Sequence, residues 1–99
     1  MSGMPGGTSN ARDADAETQS ILDQVKSQAE EKAGKSFSQF VAKQVATQVV
    51  AGTNFFVKAD IGNGEQVHVR IFRSLPPAQA LSVHSIQTGK TASDPLVHF

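Results

Sequence analysis

Residues 53–73, TNFFVKADIGNGEQVHVRIFR, decide the fold. Phe55, Val57, Ala59 and Ile61 share one parity in the first half, and Val67, Val69 and Ile71 share one in the second. Alternation with a period of two marks a strand with one face buried. Between the halves stands Gly62-Asn63-Gly64, a hairpin signal, because tight turns need residues that tolerate positive φ. The stretch therefore predicts two antiparallel strands with His68, Arg70 and Phe72 on the outward side.

Working outward, residues 36–51 (SFSQFVAKQVATQVVA) also have strand composition. Phe37 and Val41 fall on one parity and Phe40 on the other, which predicts a bulge or a strong bend. Pro76-Pro77 ends the strand after the hairpin, since proline cannot donate to a ladder. Residues 80–87 predict a further strand carrying Leu81 and Val83. The tail, 88–99, is polar until Pro95-Leu96-Val97-His98-Phe99, an apolar cluster expected to dock.

Upstream, residues 13–34 predict one helix. Asp13 and Asp15 are N-cap candidates, Glu17 suits the first turn, and Gly34 is a stop. Ile21, Leu22, Val25, Ala29 and Ala33 form an apolar stripe at helical spacing. Residues 1–12 (MSGMPGGTSNAR) hold too little apolar surface to offset the entropy of ordering, and predict a flexible arm ahead of a single domain over 13–99. One helix across one antiparallel sheet is an α+β architecture that buries both apolar faces.

Composition narrows the function. In 99 residues there are nine basic and nine acidic side chains, so the formal net charge is zero. A nucleic-acid binder needs a basic surplus, so no nucleic-acid partner is expected. No apolar run approaches the ~20 residues of a membrane helix, and no membrane partner is expected. The chain has no cysteine, which excludes disulfides, thiolate metal sites and a cysteine nucleophile. Together with an N-terminus that lacks an apolar signal region, this predicts a reducing, cytoplasmic location.

Catalytic patterns are missing. His68, His84 and His98 match no metal-ligand spacing and are expected as solvated surface residues. No GxSxG elbow occurs, and Gly62-x-Gly64 precedes a strand rather than a phosphate-binding helix. No enzyme activity, metal or cofactor is expected. What remains is a scaffold with three unusual edges: Met4-Pro5-Gly6-Gly7 in the arm, the apolar turn Gln48-Val49-Val50-Ala51-Gly52, and Leu75-Pro76-Pro77. Alternate connections of an up-and-down sheet lie at the same end, so the two apolar turns should project side by side. Spacing alone does not say whether the arm joins them.

These residues carry a resemblance. Met4-Pro5-Gly6-Gly7, Ala16-Glu17-Thr18-Gln19, Asp23-Gln24-Val25-Lys26 and Gln48-Val49-Val50-Ala51-Gly52-Thr53-Asn54 resemble the type 1 cystatins, or stefins. So do Lys58, Val67–Phe72, Ser74-Leu75-Pro76 and Leu96–Phe99. The resemblance implies a five-stranded antiparallel sheet wrapped around one helix, the fifth strand being a short N-terminal one. It implies tight, reversible, competitive inhibition of papain-like cysteine peptidases, including cathepsins of the L, S, H and B types. Met4 and Pro5 would then occupy non-primed subsites, Gly6 would let the arm pass the catalytic cysteine, and Gly7 would belong to the same peptidase-binding segment. Val49, Val50 and Ala51 would fill the primed side, with Gln48 and Gly52 holding their turn and Leu75 and Pro76 adding a second loop.

The chain departs from the family at His98, where a tyrosine is common, at Pro77, and in extra residues before Met4. The competing expectation is a non-inhibitory interaction scaffold on the same fold. A monomer is expected, and opening of the Val49-Val50 turn would let two chains exchange strands. Nuclear entry, or release without a signal peptide, is compatible with the cytoplasmic expectation.

Overall fold

The computed structural model describes residues 10–97 and 99. Its elements are β1 (Arg12–Asp13), α1 (Ala16–Ala33), β2 (Val41–Val50), β3 (Gly52–Gly62), β4 (Glu65–Arg73) and β5 (Leu81–Lys90). The strands form one antiparallel sheet in the order β1-β2-β3-β4-β5. Helix and sheet stand as the sequence predicts. Among the described residues no helix is long and apolar enough to cross a membrane.

Three boundaries differ from the expectation by more than one residue. The helix begins at Ala16 rather than Asp13, because Asp15 is the cap and Asp13 pairs with Gln44 in β1. Asp15 Oδ1 accepts from the Thr18 backbone N–H at 2.9 Å and from its hydroxyl at 2.8 Å. These bonds hold the Asp15 carboxyl below its ordinary range. The first long strand begins at Val41, not at residue 36. Phe37 and Phe40 precede it and both enter the core, their ring centroids 5.1 Å apart. The expected irregularity is a register shift between Ala42 and Gln44. The last strand runs to Lys90, three residues past its predicted end at 87.

The hairpin turn is Asn63-Gly64, with Gly62 opposite Glu65. Asn63 at φ 58° and Gly64 at φ 76° both have the positive φ that a type I′ turn requires.

Ile21, Leu22, Val25 and Ala29 bury the helix stripe against Val57, Val69 and other inward residues of the sheet. A fully buried Leu or Val side chain contributes about 1.5–3 kcal/mol. The stripe therefore outweighs differences in helix propensity, which are below ~1 kcal/mol per residue apart from proline. Two glutamines fix how the helix lies. Gln19 donates to Phe40 O at 2.8 Å and accepts from Ala42 N at 2.8 Å. Gln28 Oε1 accepts from Val83 N on β5 at 3.1 Å.

The outward side of the sheet is not bare, and here the expectation for His68 fails. Residues after β5 cross this side. Leu96 packs with Ala46 and Phe56, and Phe99 meets Phe56 edge-on at 5.7 Å. Arg70 Nη1 donates to Phe99 O at 2.7 Å. His68 is consequently fully buried, and neither ring nitrogen has a hydrogen-bond partner among the described residues. Burial, then the charges of Lys90 and Lys58, lower its pKa, while Asp94 opposes them. His84 is exposed as expected, and His98 lies outside the described residues.

Candidate functional site

Successive strand residues point to opposite faces. Near the end of β2, Val49 is 63% exposed and Val50 45% exposed. Exposure on both faces means that this hairpin projects beyond both the helix and the C-terminal segment. Its register closes as Gln48↔Asn54, Val49↔Thr53 and Val50↔Gly52, leaving Ala51 at the tip. Asn54 Nδ2 donates to Gln48 Oε1 at 3.1 Å, which ties the base of the turn across the two strands.

Gly52 explains why the turn can be this tight. Its φ is +120°, and a Cβ there would lie 2.5 Å from Arg73 O and 2.7 Å from Phe72 Cζ. Both conditions demand glycine. The close approach also seats the first turn against the end of β4, from which the second connection leaves.

That second connection is closed by its own bonds. Ser74 N donates to Ala80 O at 3.0 Å, and Ala80 N donates to Ser74 Oγ at 2.8 Å. Gln79 N donates to Leu75 O at 3.2 Å. Leu75, at 57% exposure, is thus held outward on a structured loop. Pro76 and Pro77 beside it are exposed too. The two apolar turns lie side by side, as the strand count predicts.

The N-terminal register supplies a third line. Asp13 pairs with Gln44 and Arg12 with Val45, so falling numbers on β1 run with rising numbers on β2. The described chain therefore sets out from the same end as Ala51. Met4, Pro5, Gly6 and Gly7 lie outside the described residues.

Phe72 and Arg73 were not singled out by the sequence reading. Phe72 has an outward parity and a place in the Val67–Phe72 resemblance, and nothing in a linear pattern says that its ring meets Gly52. Arg73 stands over the Phe55 ring at 4.9 Å, and its Nη1 lies 3.4 Å from Glu17 Oε2 in the first turn of α1. It links the loop end to the start of the helix. The tips offer Val, Ala, Gly, Leu and Pro, with no titratable side chain from 48 to 52 or from 74 to 80. Such a surface can fill an apolar cleft, and its tips carry no titratable group to act as acid or base. Among the described residues no cluster of His, Asp or Glu is placed to hold a metal ion.

The profile of the cystatin domain matches residues 6–93. This chain belongs to the cystatin family. Its curated relatives include cystatin-B of Oplegnathus fasciatus, 43% identical over 100% of both chains. Human cystatin-B is 46% identical over 97% of this chain and 99% of its own. Cystatin-A of Mus musculus is 43% identical over 97% of this chain and 99% of its own. Full-length similarity to cystatins A and B places this cystatin among the type 1 members, the stefins.

Proposed function

We propose that this cystatin is a tight-binding, reversible, competitive inhibitor of papain-like cysteine peptidases of the cathepsin type, and not itself an enzyme. The observation that carries the reading is one end of the sheet bearing two rigid apolar loops, with Val49, Val50 and Leu75 exposed. Membership of a family of cysteine-protease inhibitors supplies the partner class.

In this reading Val49, Val50 and Ala51 enter the primed side of the peptidase cleft, with Gln48 and Gly52 holding their turn. Leu75 and Pro76 add contact beside them. Residues 1–12 act as an arm on the domain formed by 13–99, joined to it where Arg12, the last residue of the arm, pairs with Val45 in the sheet. Met4 and Pro5 fill non-primed subsites, Gly6 lets the backbone pass the catalytic cysteine without offering it a peptide bond, and Gly7 continues the same peptidase-binding segment. The direction of β1 supports this route. Loops already locked by hydrogen bonds lose little entropy on docking, which lets a modest interface bind tightly. The reading places the protein in the cytoplasm as a monomer. Strand exchange through the Val49-Val50 turn would bury the first loop and abolish inhibition.

The test is a titration of active-site-calibrated papain with the purified chain, followed by a gel of the mixture. Stoichiometric loss of activity with the chain intact is expected. A folded monomer that leaves papain fully active overturns the reading.

A further inference from the structure

At the end of the sheet away from the apolar tips, the turn between β3 and β4 sets Asn63 directly before Gly64. Both residues are exposed. A Cβ added to Gly64 would meet no atom beyond its chain neighbours within 4 Å, so the turn stands clear of the rest of the protein. Among the described residues no hydrogen bond uses the Asn63 side-chain amide or the Gly64 N–H.

The other two asparagines differ. Asn54 is 5% exposed, and its Nδ2 donates to Gln48 Oε1 at 3.1 Å. Phe55 follows it. Asn10 is exposed, but Ala11 follows it. The distinction is chemical. An asparagine amide carbon is an electrophile within reach of the next residue's backbone nitrogen, through a five-membered ring. A side chain on that next residue crowds the ring, and glycine has none.

We propose that Asn63 is a site of spontaneous deamidation in the folded chain. Gly64 N gives its proton to hydroxide and bonds to Asn63 Cγ. The Cγ–Nδ2 bond breaks, and that nitrogen leaves as ammonia. Water then opens the resulting succinimide. Attack at Cγ gives aspartate, and attack at the main-chain carbonyl carbon gives isoaspartate, in which the backbone runs through Cβ and Cγ. No electrons change hands, and water is the only reagent.

The turn meters the rate. Asn63 stands at φ 58° in a type I′ turn, and ring closure requires its backbone to rotate out of that conformation. The reaction therefore follows transient opening of the tip, and loop tips open at the low end of the stability range. Either product puts a carboxylate where an amide stood, between Asp60 and Glu65, on a chain of zero formal net charge. Isoaspartate also adds a backbone carbon to the two-residue loop that closes Gly62 on Glu65. Neither change touches Ala51 or Leu75, so the site does not depend on the inhibitor reading.

The test is incubation of the full chain for weeks at physiological temperature and neutral pH, with a parallel sample in guanidinium chloride, followed by peptide mass spectrometry. In the folded chain the peptide holding Asn63 should gain one mass unit and split into two chromatographic forms. One of them should accept a methyl group from an isoaspartate-specific methyltransferase. Asn54 should stay intact, and Asn10 should convert more slowly. Raising the pH should speed the conversion, because it begins with loss of a proton. On isoelectric focusing the aged chain should gain one negative charge and run with Asn63→Asp. An Asn63 that stays intact in the folded chain overturns the proposal, and its conversion in guanidinium chloride then assigns the protection to the turn. Conversion of Asn10 as fast as Asn63 in the folded chain overturns it as well.

Discussion

Gly52 and Phe72 meet so closely that a single added carbon on Gly52 would lie 2.7 Å from the Phe72 ring. The contact joins the Ala51 turn to the end of β4, and through it to the Leu75 loop. Gly52→Ala must distort one or both. At φ +120° the alanine is strained by backbone conformation as well as by contact with Arg73 O. We expect a loss of about 1–3 kcal/mol in urea unfolding. Inhibition of papain should fall further than that loss of stability explains, because the loops no longer share one geometry. Parent-like inhibition from Gly52→Ala would show that the loops need no such coupling.

Val49→Ser and Leu75→Ser separate binding from folding. Both side chains are mostly exposed, so each substitution should change unfolding free energy by no more than about 0.5 kcal/mol. Removing an apolar anchor from an occupied cleft should weaken inhibition by roughly tenfold or more, the equivalent of about 1.4 kcal/mol. Inhibition constants beside thermal melts decide the matter. Unchanged constants for both would remove the loops from the interface.

Deleting residues 1–6 tests the arm. Affinity differences among variants of one interface lie mostly in dissociation. The truncated chain should therefore leave papain faster, with a smaller change in association rate. Dissociation followed after trapping free enzyme with excess substrate gives the answer. An unaltered rate would mean that the arm does not anchor the complex.

His68 makes stability depend on pH. Burial and the nearby Lys90 and Lys58 charges lower its pKa in the folded chain from the ordinary 6.5. The unfolded chain then binds a proton that the folded chain refuses. The stability present above about pH 6.5 is lost as pH falls below it, by at most about 1.4 kcal/mol per pH unit for one proton. Urea unfolding between pH 7.5 and 5 should show this slope, and His68→Phe should flatten it. A parent curve that is flat in this window would show that the ring gains its proton without cost.

The hairpin around Asn63, the helix stripe and the side-by-side tips were legible because each is a local pattern or a count of reversals. His68 was not. Alternation assigns a residue to a side of the sheet, and it cannot say that Ala92, Leu96 and Phe99 return to cover that side. Phe37 and Phe40 misled for a related reason. Large apolar side chains entering the core from an irregular approach look, by composition, like the start of a strand. The Gly52–Phe72 contact was invisible because its partners are twenty residues apart and meet through the strand register.

Gln19 and Gln28 have a consequence for how the interior of this chain can change. Both grip main chain, at the approach to β2 and on β5. A backbone amide is present whatever side chain that position carries. The apolar residues between helix and sheet can be exchanged for others of similar volume without resetting where the helix crosses. A volume-conserving change in the interior of this chain therefore leaves the crossing of the helix, and the frame that carries the tips, in place.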